Sequence, residues 1–275
     1  MLWLDTEDVV VLTQPMRQQG PENESFRGLL SRVSDGTATD EDFACLQARD
    51  IERVLTHETV HDWHDTPIIT TRNSVKDALN VYATMSYAAR NDREVHIYYA
   101  DDYRCGERID EGELQDYLHS LHTGKTKFMG LLPLAIGMRV QLLVNYDVSS
   151  GIVNGCEGVL KEVRYTTDKL GRRHATSCII LVPDSTCDGL PHLMEHEVVA
   201  LRENTEFSIR NPATKKTFKV SRRQLPIVPA YAMTVFKAQG KSFTRVIADV
   251  ESCRSLQAVY VMLSRVKSLD GLLIL

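Results

Sequence analysis

The chain has 275 residues, 43% of them hydrophobic and 25% charged, enough for one large domain or two modest ones at ~100–200 residues each. That composition excludes a disordered tail, a collagen-like fibre and a coiled-coil rod. No apolar run approaches the ~20 residues of a membrane-spanning helix, and the opening MLWLDTEDVVVL lacks the basic and apolar regions of a signal peptide. The net charge of −5 hides an asymmetry: residues 1–130 hold 13 basic and 24 acidic side chains, residues 131–225 hold 13 and 10, and residues 226–275 hold 6 and 3. An anionic partner therefore has to engage local basic patches. Six cysteines at 45, 105, 156, 178, 187 and 253 form no CxxC pair, which fits a reducing compartment better than a zinc site or disulfide framework.

In chain order, Val9–Leu12 reads as a strand and Pro15 as a turn. Phe26, Leu29, Leu30 and Val33 fall at helical spacing and Gly36 follows as a stop, predicting an amphipathic helix. Thr39 to Asp42 reads as the capped start of a short helix carrying Phe43 and Leu46. Residues 52–66 read as a connecting loop with room for a short helix. PIITT after Thr66 is a β-branched strand, followed by a helix with Val75, Ala78, Leu79 and Tyr82 on its apolar face and Asn73 or Ser74 as its cap. VHIYYA is a strand, and the polar stretch 101–130 holds one helix near Leu114–Leu121. From 131 the texture changes. Met138, Val140, Leu142 and Val144 alternate, Asn154-Gly155 is a turn, and VLKEVRY, SCIILV, EVVAL, FSIR and FKVSR follow as short strands. After Pro226 the pattern returns to α/β: Ala230–Ala238 is helix-like, RVIADV a strand, Leu256–Ser264 a helix and GLLIL a strand. The fold class is α/β, a parallel-sheet domain (1–130 and 226–275) with a small β-barrel inserted over 131–225.

Gly124-Lys125-Thr126 imitates the end of a P-loop, but the first glycine of that motif would fall on His119, and a helix precedes it where a strand is required. The stretch reads as a basic exposed turn. His57, His61 and His64 have ligand-like spacing but share a polar loop with Glu58, Asp62 and Asp65, so no metal site is assigned there. Trp3, Trp63 and Cys156 read as packing residues. Thr234, Lys237, Gln239, Gly240 and Ser242 form a polar cluster at a helix–strand junction that can bind phosphate or sugar. Arg265 ends an apolar helix, where it either satisfies the helix dipole or clamps a phosphate.

AYAMTVFKAQGKSF and YVMLSRV resemble motifs V and VI of the PIF/RecD-type superfamily-one DNA helicases. LTQPMRQ resembles their motif IV, FRGLLSRVSDG the helix after it, PIITTRNSVKDALN a strand and helix that contact nucleic acid, and LPLAIGMRVQLLVNYDVSSGIVNGCEGVL the segment with V-N-G. The resemblance implies the second RecA-like domain of such a helicase with an SH3-like insert. By it, Arg17 and Arg265 reach the γ-phosphate, and Gln18, Gln239 and Gly240 lie at the ATP site. Thr71, Asn73, Thr234, Phe236 and Lys237 face single-stranded DNA, and Lys215, Lys216, Lys219, Arg222 and Arg223 track its backbone. The family usually has His where this chain has Phe236, whose ring can stack on a base. The resemblance implies ATP and Mg²⁺ as cofactors of the intact enzyme, a nuclear location, and roles around telomeres, repair or recombination. These residues contain no Walker A or B motif, so this chain alone is expected not to hydrolyse ATP. The first RecA-like domain is expected in cis, or a Walker-bearing partner in trans. The alternatives are a non-catalytic single-strand-binding relic and a complementing subunit.

Overall fold

The computed structural model describes residues 16–110, 112–186, 192–211 and 215–275; the expected strand Val9–Leu12, Pro15, Trp3 and Cys187 lie outside the described residues. The chain forms two units, one from Met1–Thr66 with Ala238–Leu275 and one from Pro67–Lys237.

In the first unit, α1 (Glu24–Asp35) buries Phe26, Leu29, Leu30 and Val33, the stripe read from spacing, and stops at Gly36 with φ 72°, a left-handed cap that glycine adopts without steric cost. α2 (Asp40–Gln47) starts with a capping box: Asp42 N donates to Thr39 Oγ1 at 3.2 Å and Thr39 N to the Asp42 carboxylate at 3.0 Å. The connecting loop over 52–66 holds the end of a short helix, α3 (Ile51–Val54), and a single 3₁₀ turn at Val60–Trp63. Trp63 is buried, with the Arg245 guanidinium 5.3 Å from its ring centroid.

The second unit begins with β1 (Ile68–Thr70) and α4 (Asn73–Arg90). The expected face of α4 is wrong. Tyr82 is 75% exposed, while Asp77, Asn80, Thr84 and Ala88 are buried. The helix buries polar groups because each finds a partner, which hydrophobic periodicity cannot register. Its cap position is Arg72, with no side-chain cap bond, and Asn73 is the first helical residue.

Next come β2 (His96–Tyr99), β3 (Asp101–Arg104), β4 (Glu107–Arg108), α5 (Glu113–Ser120), α6 (Thr123–Thr126), β5 (Leu131–Leu134) and β6 (Arg139–Leu142). The remaining strands are β7 (Glu157–Thr167), β8 (Arg173–Leu181), β9 (Glu197–Leu201), β10 (Glu203–Arg210), β11 (Thr217–Gln224), β12 (Ile227–Pro229) and β13 (Ala232–Thr234), before α7 (Val235–Ala238). The expected helix over Ala230–Ala238 is thus confined to the single turn Val235–Ala238, because Ala232–Thr234 pairs in parallel with β1 as a strand. A seven-stranded sheet runs β12-β6-β7-β8-β2-β5, with β9 on β8. Its end strands β12 and β5 meet, giving a nearly closed barrel. Met138, Val140, Leu142, Leu160, Ile180 and Ile227 fill its core. The barrel recruits β2 and β12 from outside 131–225, whereas β10 and β11 join β3 and β4 in a separate antiparallel sheet of order β10-β11-β3-β4.

That second sheet is fixed by Arg222, which pairs in register with Asp102. Both side chains are wholly buried. Arg222 donates Nε to Asp102 Oδ1 at 2.7 Å, Nη2 to Asp102 Oδ2 at 2.8 Å and to the Leu118 carbonyl at 2.8 Å, and Nη1 to the Phe128 carbonyl at 3.1 Å. This corrects the expectation for Arg222: with no exposed surface it cannot follow a nucleic-acid backbone. Gly130 is required here, since a Cβ would lie 2.7 Å from His119 Cα and 3.2 Å from the guanidinium.

His174, on β8, is also buried between carboxylates: Nδ1 lies 3.0 Å from Asp101 Oδ1 and Nε2 3.2 Å from Asp168 Oδ2, with Arg108 beside it. The bond to Asp101 is the main cause that raises its pKa above the ordinary value, against the opposing effect of burial. After Lys237 the chain returns to the first unit. There β14 (Val246–Ala248) and β15 (Leu272–Ile274) pair in parallel, and α8 (Leu256–Leu263) packs on α1. Among the described residues no helix is long and apolar enough to cross a membrane.

Removing one member of the Arg222–Asp102 pair leaves a buried, uncompensated charge. Asp102→Ala is expected to lower unfolding free energy by ~3–5 kcal/mol, and adding Arg222→Met to recover most of the loss in urea titrations. His174 binds its proton more tightly folded than unfolded. Its stabilisation is complete below ~6.5 and fades as pH rises through the raised folded value. The urea midpoint should fall over that window, and His174→Asn should flatten the dependence.

Candidate functional site

The first unit brings Arg17 and Arg265 together. Arg17 donates Nε to Ser242 Oγ at 2.7 Å and Nη1 to the Ser264 carbonyl at 2.9 Å. Arg265 donates Nη2 to Ser264 Oγ at 2.7 Å and Nε to the Val261 carbonyl at 2.8 Å. Among the described residues no carboxylate pairs with either guanidinium, and Arg265 is only 7% exposed. Burial, and then the positive charge of Arg17, lower the Arg265 pKa. Two cations held together by neutral oxygens leave an unmet demand for an anion. Gln18 is buried, and its amide nitrogen donates to the carbonyls of Ser264 at 3.2 Å and Val266 at 2.6 Å. Gln18 thus braces the segment carrying Arg265 instead of presenting that nitrogen to an open site. Gln239 and Gly240 are exposed, and Gly240 has φ 84°.

In the second unit a cleft of about 200 Å³ is lined by Asn73 and Lys76 of α4, Thr123 of α6, Asn154, Thr234 of β13 and Lys237 of α7, among others. The N-terminal end of α4 and the C-terminal end of β13 thus deliver polar side chains to one place. Asn80 makes this possible. Its Oδ1 accepts from Tyr231 N at 3.1 Å and Ala232 N at 2.8 Å, and its Nδ2 donates to the Ala232 carbonyl at 3.1 Å. One amide thereby fixes the helix against the backbone that leads into Thr234. Lys237 Nζ donates to Asn154 Oδ1 at 2.7 Å, and Lys76 Nζ to Thr123 Oγ1 at 2.7 Å. Thr123 is fixed from the other side by Asp77, which accepts from Thr123 N at 2.7 Å and from its hydroxyl at 3.0 Å.

Of the expected strand-facing residues, Asn73, Thr234 and Lys237 line this cleft. Phe236, 81% exposed, neighbours them in sequence, while Thr71 is not among the lining residues. Lys215, Lys216, Lys219 and Arg223 are exposed on the β10–β11 hairpin, outside the cleft. Sequence reasoning missed Lys76, Thr123 and Lys127. Lys76 was legible one helical turn after Asn73; Thr123 and Lys127 flank the imitation P-loop, and only the fold of 118–130 brings them in. Among the described residues no three His, Cys, Asp or Glu gather as a metal site.

No protein-family model matches the chain. It is 28% identical over 191 residues to the ATP-dependent DNA helicase PIF7 of Trypanosoma brucei brucei, covering 59% of this chain and 18% of that protein. It is 32% identical over 148 residues to human ATP-dependent DNA helicase PIF1, covering 53% and 19%. A Bacteroides Pif1 bound to single-stranded DNA superposes with a TM-score of 0.62 at 19% identity, covering 96% of this chain and 51% of that one. The Candida albicans Pif1 helicase gives 0.59 at 18% identity, covering 95% and 55%. The solved structures establish the RecA-like helicase fold. The chain spans about half the length of the solved chains and under a fifth of these two curated relatives.

Asn80 is 1% exposed and its loss would strand buried backbone groups. Asn80→Leu is expected to cost at least ~2 kcal/mol in urea unfolding, well beyond the ~0.5 kcal/mol of an exposed control such as Ser86→Ala.

Proposed function

We propose that this chain, a homologue of the PIF1-type ATP-dependent DNA helicases, acts as the C-terminal motor half of such an enzyme. Its first unit offers Arg17 and Arg265 to the γ-phosphate of ATP, and its second unit holds single-stranded DNA. The observation that carries the reading is the arginine pair, which has no carboxylate partner among the described residues. Phosphoryl transfer spreads charge over equatorial oxygens, and two fixed guanidiniums stabilise that charge without reorganising. Ser264, Ser242 and Gln18 orient them beforehand.

The cleft supports the second half of the proposal. Lys127 and Lys237 supply positive charge to a strand of phosphates, while Lys76 is paired with Asp77 at 2.9 Å; Asn73, Thr123 and Thr234 supply polar groups, and exposed Phe236 supplies a face for a base. Exposed Lys215, Lys216, Lys219 and Arg223 extend the cationic surface on their hairpin. The 275 residues contain no G-x-x-x-x-G-K-[ST], so the triphosphate cradle and the Mg²⁺ ligands come from another RecA-like domain, in cis or in trans. The domain reading that goes with this is a RecA-like second domain bearing an SH3-like insert. The place of action is a DNA-containing compartment, the nucleus in a nucleated cell.

The chain alone is expected to bind oligo-dT with a steep salt dependence and to show no ATPase. Lys237→Ala should weaken binding of all sequences alike and reduce the salt slope by about one. With a Walker-bearing RecA-like domain supplied, Arg17→Ala and Arg265→Ala should each lower kcat about 10³-fold while leaving strand binding by the chain alone unchanged. Strand binding with no effect of either arginine on the reconstituted ATPase would favour a non-catalytic binding module instead.

A further inference from the structure

The Gly-Lys-Thr stretch that imitates a P-loop forms most of α6, and the structure gives its glycine a use. Gly124 stands within the turn Thr123–Thr126 and is not among the residues with positive φ. Its backbone conformation is one that any residue adopts, and glycine weakens a helical turn relative to alanine. Space is what requires it. A Cβ on Gly124 would lie 2.6 Å from Asn73 Nδ2, 2.9 Å from Asn73 Cγ and 3.1 Å from Asn73 Cβ. The three heavy atoms nearest to that position thus all belong to one side chain, and its amide end is closer than a Cβ can approach.

Asn73 is the first residue of α4 and lines the cationic cleft. Its side-chain amide makes no hydrogen bond to a described residue, so contact with the turn is what limits where it points. The turn itself is fixed. One residue before Gly124, Thr123 donates its backbone N–H to Asp77 at 2.7 Å and its hydroxyl at 3.0 Å, and Asp77 is paired with Lys76 at 2.9 Å. Two residues after Gly124, the buried Thr126 hydroxyl donates to the Phe128 carbonyl at 2.8 Å. Asp77 lies about one turn beyond Asn73, so the helix that carries Asn73 also anchors the turn on which Asn73 rests. An amide held in this way keeps two N–H donors for a ligand, and phosphate oxygens accept them.

We propose that Gly124 is a positioning residue for strand binding: its missing side chain lets the Asn73 amide rest against α6, in the orientation from which it donates to a phosphate oxygen of the strand in the cleft. The proposal rests on the strand-binding reading above. Asn73 touches the strand, and Gly124 acts only through Asn73. An alanine at 124 fits the backbone and displaces a movable side-chain amide, so its cost falls on binding and not on folding. The contact is neutral, and it adds affinity without adding to the salt dependence.

The test is a double-mutant cycle on the full chain, read as the Kd for oligo-dT across a salt series. Asn73→Ala is expected to weaken binding about tenfold. Gly124→Ala should weaken it by a similar factor, with its thermal midpoint unchanged or raised. The double variant should bind no more weakly than either single one, because Gly124 has nothing left to position. All three should keep the wild-type salt slope, since none removes a charge. Should Gly124→Ala melt early, adding Asn73→Ala should restore the midpoint and give the Kd of Asn73→Ala alone; a midpoint that stays low overturns the proposal. Wild-type affinity in either single variant also overturns it. So do losses that multiply to about a hundredfold in the double variant, which would mean that a Cβ at 124 obstructs the strand directly. In each of these cases salt-dependent binding by the wild type persists, and the strand-binding reading stands. Failure of the wild-type chain to bind oligo-dT at any salt concentration would overturn both.

Discussion

A guanidinium with no access to water sits at the centre of the second unit, and much of that unit follows from satisfying it. Isolated in a low-dielectric interior, Arg222 would be prohibitively costly. Asp102 neutralises it through two bonds, and the carbonyls of Leu118 and Phe128 take further N–H groups. Those carbonyls belong to the end of α5 and to the segment leading into β5. The ion pair thereby does more than tie β11 to β3: it draws residues 118–130 over itself. That segment carries Thr123 and Lys127 into the cleft. A pair of this kind is weak evidence for net stability. Its consequence is geometric, because only one closure of the segment offers two carbonyls to the same guanidinium.

Asn80 plays the matching part on the other wall. It replaces ladder partners that the backbone around Tyr231 and Ala232 lacks on that side, and so converts the axis of α4 into a reference for β13. A hydrophobic contact could bury the same area, but it would not fix the helix along its own axis. Since Asn73, Lys76 and Asp77 lie within about two turns of Asn80, that axial position decides which of them meets the cleft.

These two buried polar devices mark the boundary of what the sequence made legible. Where apolar residues repeat at 3.6 or 2 and a terminator follows, as in α1 with Gly36 or in Met138–Leu142, the elements and their inward faces agree with the structure. The capping box at Thr39–Asp42 is likewise local and readable. α4 failed because its buried face is Asp77, Asn80, Thr84 and Ala88. A pattern search assigns such residues to solvent unless the distant partner is known. Arg222 failed for the same reason: a basic residue among Lys215, Lys219 and Arg223 reads as surface, and only the register of β11 on β3 brings Asp102 opposite it. The strand at Ala232–Thr234 was taken for helix because its pairing partner, β1, lies more than 150 residues away. Site residues within one turn of a recognisable motif were legible, and those placed by long-range closure were not.

The arginine pair in the first unit extends the same physics to a different end. In the second unit the buried guanidinium of Arg222 has a carboxylate and two carbonyls that complete it. Among the described residues Arg17 and Arg265 are anchored by hydroxyls and carbonyls, and the charge of Arg17 adds to burial in lowering the Arg265 pKa. Folding tolerates this because serine and backbone oxygens are polarisable partners that fix orientation without cancelling charge. The uncancelled charge is what a multiply charged anion can use. Ordinary core packing would remove it, either by a facing carboxylate or by replacing one arginine with an apolar residue. That uncancelled charge is the physical reason to look for the anion there, and Ser264, whose carbonyl accepts from Arg17 and whose hydroxyl accepts from Arg265, is what would keep the two from separating when it arrives.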